Sequence, residues 1–172
     1  MVKKTRLFAI LLVLIALVLV AGTAAANGGP RNFRTHLAGD EEVPARDTRA
    51  QGQAIFQLSP DGSELSFKLI VANIENVFAA HIHLAPAGQN GPVVVPLYTS
   101  GPIPGRFQGV LAEGVITDAD LTGPLAGATL ADLVAEIDAG NTYVNVHTND
   151  FVDPPNTGPG DFPGGEIRGQ IH

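Results

Sequence analysis

Apolar and polar residues alternate one by one through most of this chain, in short runs that Gly, Pro, Asn or Asp brings to an end. Such alternation places every second side chain on one face of an extended strand, so the chain must assemble strands and bury one face of each. In "QGQAIFQLS" (51–59) Ala54, Phe56 and Leu58 share a face, and in "ELSFKLIVANI" (64–74) Leu65, Phe67 and Leu69 do. Between them Pro60-Asp61-Gly62 predicts a tight hairpin, with Gly62 taking a positive φ. Further strands are expected in "FRTHLAG", "FAAHIHLA", "PVVVPLY", "RFQGVLAEGVI", "TYVNVHT" and "GEIRGQI". Many short strands with frequent turns predict an all-β sandwich or barrel. One segment departs from the period. In "TLADLVAEIDAG" Leu130, Leu133, Val134 and Ile137 recur at helical spacing, Thr129 with Asp132 forms a capping pair, and Gly140 is a natural stop. This helix is expected to lie as an apolar lid on the sheet and receives no catalytic role.

The N-terminus points to export. Lys3, Lys4 and Arg6 precede the apolar run "LFAILLVLIALVLVAG", and Ala24-Ala25-Ala26 follow it, the order of a secretory signal peptide. The run is shorter than the ~20 residues of a spanning helix. The expectation is therefore a signal peptide over residues 1–26, a single domain over 27–172, and a secreted or otherwise extracytoplasmic product with no membrane segment after cleavage. The chain has no cysteine, so its stability rests on an ordinary core, and thiolate chemistry and thiolate metal sites are excluded. Its 17 acidic residues outnumber its 10 Lys and Arg, and three of those ten lie in the N-terminal segment. Such a balance argues against nucleic acid as a partner.

Alternation also shows which way the histidines point. In "FAAHIHLA" one face carries Phe78, Ala80, Ile82 and Leu84, and the other Ala79, His81, His83 and Ala85. The first is the expected core face. In "TYVNVHT" Val144 and Val146 are the core set, with Tyr143, Asn145 and His147 opposite. In "GEIRGQI" Ile167 and Ile171 point inward and Glu166, Arg168 and Gln170 outward. Two histidines two residues apart on a strand stand ~6.5–7 Å apart at Cα, so their imidazoles can converge on one borderline ion. His147 is the third candidate, giving a three-nitrogen set suited to copper or zinc, with hydrogen bonds from His81 and His83 to loops or backbone as the alternative. Arg168 is a candidate second-layer cation, attracting an anion or orienting a carboxylate, with a surface ion pair to Glu166 or a loop aspartate as the alternative. Asn145 is a candidate hydrogen-bond partner.

The other histidines read as structural: His36 at a sheet edge or in solvent, and His172 at a frayed end. The acids in "GDEEVP" (39–44) read as a solvated turn rather than a calcium site, since three consecutive acids on a strand cannot face one ion. The loop 149–165, "NDFVDPPNTGPGDFPGG", is long and rich in Pro and Gly, and it joins the strand of His147 to that of Arg168. No nucleophile elbow, phosphate loop, dinucleotide fingerprint or glycosidase carboxylate pair appears.

Several motifs together resemble the CHRD domain first described in chordin: "HLAGDEEVPA", "GQAIFQL", "AAHIHLAPAGQNGPVVVPL", "YVNVHT" and "PGGEIRGQI". The resemblance runs from about Phe33 to Ile171 and implies an extracytoplasmic, immunoglobulin-like Greek-key β-sandwich. The cysteine-rich modules that accompany the domain in chordin are missing, so growth-factor binding is not carried over. The order of His-x-His, "V-x-V-H", a long polar loop and an arginine on the last strand is also similar to copper/zinc superoxide dismutase. That resemblance implies His81, His83 and His147 as copper-type ligands, with Arg168 near an anion-guiding position. No histidine lies between His83 and His147, so the bridging ligand and the zinc histidines of that family are absent, as is its disulfide. The expected function is a secreted binding or structural module, holding copper or zinc through three histidines. The alternatives are a copper-dependent redox enzyme, or a metal-free adhesion module contacting extracellular protein or matrix. No residue is assigned a catalytic role.

Overall fold

The structure, a computed structural model, describes residues 31–172. The expected signal peptide lies outside the described residues, and among those described no helix is long and apolar enough to cross a membrane. Seven strands carry the chain: β1 (Arg31–Ala38), β2 (Gln51–Leu58), β3 (Leu65–Leu84), β4 (Val93–Tyr98), β5 (Ile103–Ile116), β6 (Thr142–Thr148) and β7 (Ile167–Gln170). One helix, α1 (Leu130–Asp138), precedes β6. The Asp132 carboxylate accepts from both the Thr129 amide (2.8 Å) and hydroxyl (2.7 Å), and Gly140 ends the turn at a φ of 73°. The four apolar residues of the helical stripe are buried and join the core cluster.

The length of β3 decides the topology. "ELSFKLIVANI" and "FAAHIHLA", expected as two strands, form one strand of 20 residues. Its first part pairs with β2 and β5 and its last part with β6 and β4, all antiparallel. All seven strands join one hydrogen-bonded sheet: six follow the order β2-β1-β7-β6-β3-β4, β5 pairs with β3 off this path, and the additional β2–β3 pairing closes the sheet into a barrel. The sequence signals at 73–77 that suggested a break are instead bends within the strand. Asn73 and Asn76 hold positive φ values of 54° and 52°, a region asparagine tolerates better than most residues. Asn76 is pinned there, accepting from the Gly105 amide (2.7 Å) and donating to the Gly160 carbonyl (3.2 Å).

These irregularities move side chains between faces. Upstream, Leu65, Leu69 and Val71 face the core; downstream Ile74, Val77, Ala80 and Ile82 do. A bulge between Val77 and Ala79 sets Phe78 and Ala79 together against His147. Phe78, expected in the core, therefore lies on the histidine face, its ring 6.0 Å from that of His147. The PDG hairpin joins β2 to β3 as expected, with Leu58 opposite Leu65. His172 is not frayed: its backbone exchanges two hydrogen bonds with Arg34, at 2.9 and 3.1 Å.

Candidate metal centre

Strands β3, β6 and β7 present one polar face, and their register gives it two complete rows. His81 stands opposite Asn145, which stands opposite Arg168; His83 stands opposite Tyr143, which stands opposite Gln170. His147 occupies the next position along β6, across from Ala79. The expectation that this face looks outward is corrected. Tyr143, Asn145, His147, Glu166 and Arg168 are all buried, and His81 alone of the three histidines is half-buried. The reason lies in the connections, which alternation along strands does not describe: residues 39–50, 85–92 and 149–165 fold back over the face.

Those connections are fastened to it by specific bonds. Glu166, fully buried, accepts from the Thr148 hydroxyl (2.7 Å), the Gly160 amide (2.9 Å) and the Thr48 hydroxyl (2.5 Å), tying two covering segments to β6. Asp161 orders the long loop from within, accepting from the amide and hydroxyl of Thr157 at 2.9 Å each. Arg168 donates to the carbonyls of Gln89 (2.8 Å) and Pro86 (3.3 Å), to Asn90 Oδ1 (3.3 Å) and to Gln170 Oε1 (3.4 Å). Its guanidinium also lies 3.5 Å over the Tyr143 ring. The surface ion pair with Glu166 or a loop aspartate does not form among the described residues, because burial and loop carbonyls occupy Arg168 instead. The acidic run divides likewise: Asp40 and Glu41 are exposed, but Glu42 is buried and is no part of a solvated turn.

The three histidines come together on this face. Each offers a ring nitrogen, and the three nitrogens lie within 4.8 Å of one another. The ring centroids form a nearly regular triangle of 5.0, 5.6 and 5.7 Å. Backbone carbonyls fix which nitrogens are free. His83 Nδ1 meets Gly91 O at 2.9 Å and His147 Nδ1 meets Pro163 O at 3.0 Å, so these nitrogens carry protons and donate. Each Nε2 is then an unprotonated lone pair, and that of His83 is buried with no partner. His81 Nδ1 lies 3.1 Å from His147 Nε2. Two nitrogens at ~2.0–2.1 Å from one tetrahedral ion stand about 3.3 Å apart, so this pair already has ligand spacing. Imidazoles oriented by carbonyls through the opposite ring nitrogen are the usual arrangement of metal-binding histidines.

Electrostatics keep the rings neutral. Burial, reinforced by His81 and His83, holds His147 down to about 3, and burial with the neighbouring His83 holds His81 to about 4. Burial also lowers His83, with Arg168 adding to the effect and the Gly91 carbonyl opposing it. Neutral imidazole is the form that binds a metal. Tyr143 supports the site from below. Its ring stacks on His83 at 4.9 Å and 13°, and its hydroxyl accepts from the Gly91 amide at 3.1 Å. Gly91 is required here, since a β-carbon would collide with the Leu84 carbonyl. His36 and His172 lie on the surface away from this cluster.

A closed β-sheet with three neutral imidazoles on one loop-covered face, two of them oriented by backbone carbonyls, defines a β-barrel protein that can hold a metal ion. A model of the CHRD domain matches residues 33–154, well over half of the chain, and the chain belongs to the CHRD domain family. The match includes all three histidines and ends inside the long loop, short of Glu166 and Arg168. No curated protein and no solved structure matches the chain.

Sequence reasoning missed Glu42, the Tyr143 stack and the Glu166 clip. Tyr143 could have been found, because alternation already placed it on the histidine face. The Gly91 and Pro163 carbonyls carry no side-chain signal and appear only once the loops are folded.

Proposed function

We propose that this chain is an extracytoplasmic CHRD-domain module that holds one mononuclear metal ion, copper or zinc. His81 Nδ1, His83 Nε2 and His147 Nε2 are the ligands. The observation that carries this reading is the pair of Nδ1–H donations from His83 and His147 to loop carbonyls, which leaves two lone pairs directed beside His81 with a buried nitrogen unpaired. Three neutral nitrogen donors suit Cu and Zn over Ca or Mg, which prefer oxygen. Arg168 and Asn145 form the surrounding layer: Arg168 fixes the 86–91 loop that supplies the Gly91 carbonyl, and Asn145 lies among the ligands. The N-terminal charge and apolar pattern supports export, and a Greek-key, immunoglobulin-like sandwich is the reading of the barrel that the family resemblance favours.

Metal analysis of purified protein tests this reading. About one Cu or Zn per chain is expected, and the His81→Ala/His147→Ala double variant is expected to retain none. Equal retention by that variant would overturn it. A second reading, adhesion to extracellular protein or matrix without metal, draws on Phe151 and Val152, each 65% exposed in the long loop. It predicts that substituting both with Ser abolishes capture by matrix fractions while metal removal leaves capture unchanged.

A further inference from the structure

Two buried polar side chains, one on the 39–50 connection and one on β6, each carry an oxygen with no hydrogen-bond partner. Glu42, just after the short 3-10 turn Gly39–Glu41, is 6% exposed, and Asn145 is 2% exposed. Neither Glu42 Oε1 nor Asn145 Oδ1 makes a hydrogen bond. A buried acceptor left unpaired costs about 1–3 kcal/mol, so two at one place require a reason.

Both oxygens border the same point. A β-carbon on Gly165, whose φ is 127°, would collide with Asn145 Oδ1 and with Glu42 Oε1 alike, and glycine keeps that space open. Asn145 is the centre of the polar face, with His81 across one strand pair, Arg168 across the other, and His147 and Tyr143 two residues along β6 on either side. The carboxylate is not itself a ligand of the cluster, which gathers three histidines and no acid. Three nitrogens leave a copper or zinc ion at least one open position.

We propose that Glu42 and Asn145 form a subsite for the small ligand that completes the metal's coordination, a water molecule or a small anion hydrogen-bonded to both. This deepens the three-histidine reading and rests on it. A water in this position donates to Glu42 Oε1 and Asn145 Oδ1, whereas an anion accepts from Asn145 Nδ2 and from a protonated Glu42 carboxyl. Burial pushes Glu42 up to about 7, against the lowering effects of Arg168 on β7, the Val43 amide and Arg46 on the covering segment, so near pH 6 it retains its proton. The ion supplies the positive charge that favours an anion at this position.

Cobalt(II)-loaded protein titrated with azide at pH 6 tests the proposal, with cobalt uptake and azide affinity read separately from the visible spectrum. Glu42→Leu and Asn145→Leu are expected to keep one cobalt per chain and to weaken azide binding at least tenfold. Glu42→Gln, which restores a donor, is expected to stay within threefold of the wild type. Gly165→Ala, which fills the space without removing either side chain, gives an independent loss of azide affinity if the leucine variants fold poorly. Azide affinity unchanged within twofold in variants that take up cobalt would overturn the subsite. Failure of the wild type to take up cobalt would instead overturn the metal reading on which the subsite rests.

Discussion

At the scale of single residues, metal binding depends on neutral imidazoles. An exposed histidine titrates near 6.5, and a site built from such groups loses its metal as pH falls through that value. Here burial holds His147 to about 3 and His81 to about 4. Metal uptake measured against pH is therefore expected to persist to about pH 5, and a half-loss near 6.5 would contradict the protonation states described here. His147→Ala is expected to weaken metal binding by at least ~100-fold, because two remaining imidazoles supply one donor bond fewer and lose the convergent geometry of the three-nitrogen set. Which histidines share a face was legible in the sequence, since two-residue alternation needs no tertiary information. The position of Phe78 was not, because a bulge shifts the phase by one residue and leaves no reliable mark in composition.

At the scale of elements, loops decide what strands only begin. The pattern in "GEIRGQI" placed Arg168 beside the histidines' face but gave it the role of a surface cation. In the structure its guanidinium holds the 86–91 loop, and through Gly91 that loop holds His83. Arg168→Met is expected to destabilise the protein by about 2–4 kcal/mol in urea denaturation, from lost charge-assisted hydrogen bonds and stranded carbonyls. The same variant is expected to weaken metal binding though it removes no ligand. Unchanged affinity would show that the loop holds its place without Arg168. The long strand β3 is the counterpart lesson: asparagines that signal a turn in sequence become bends once β2, β5, β4 and β6 pair along the strand. Within its last part, Ile82→Ala is expected to cost about 2–5 kcal/mol, since this side chain is fully buried in the core cluster.

At the scale of the whole molecule, the buried polar face links stability to pH in two opposite directions. The histidines have folded pKa values below the unfolded value, so the unfolded chain binds more protons as pH drops below ~6.5, and the metal-free protein loses stability on acidification toward pH 4. Glu42 is raised to about 7, so its contribution is fully present below ~4.5 and is lost as pH rises through 7. Glu42→Gln is accordingly expected to gain stability relative to the wild type between pH 5 and pH 8, measured by thermal unfolding after chelation. A constant difference across that range would contradict a buried, proton-holding carboxyl. The overall class, all-β with one capped helix, followed from periodicity. Closure into a barrel did not, because it depends on one strand being long enough to pair at both ends. X-ray absorption on the copper- or zinc-loaded protein reads the ligands around the ion itself. The expected result is a shell dominated by three imidazole nitrogens at ~2.0–2.1 Å. A shell of oxygen ligands without imidazole scattering would contradict it.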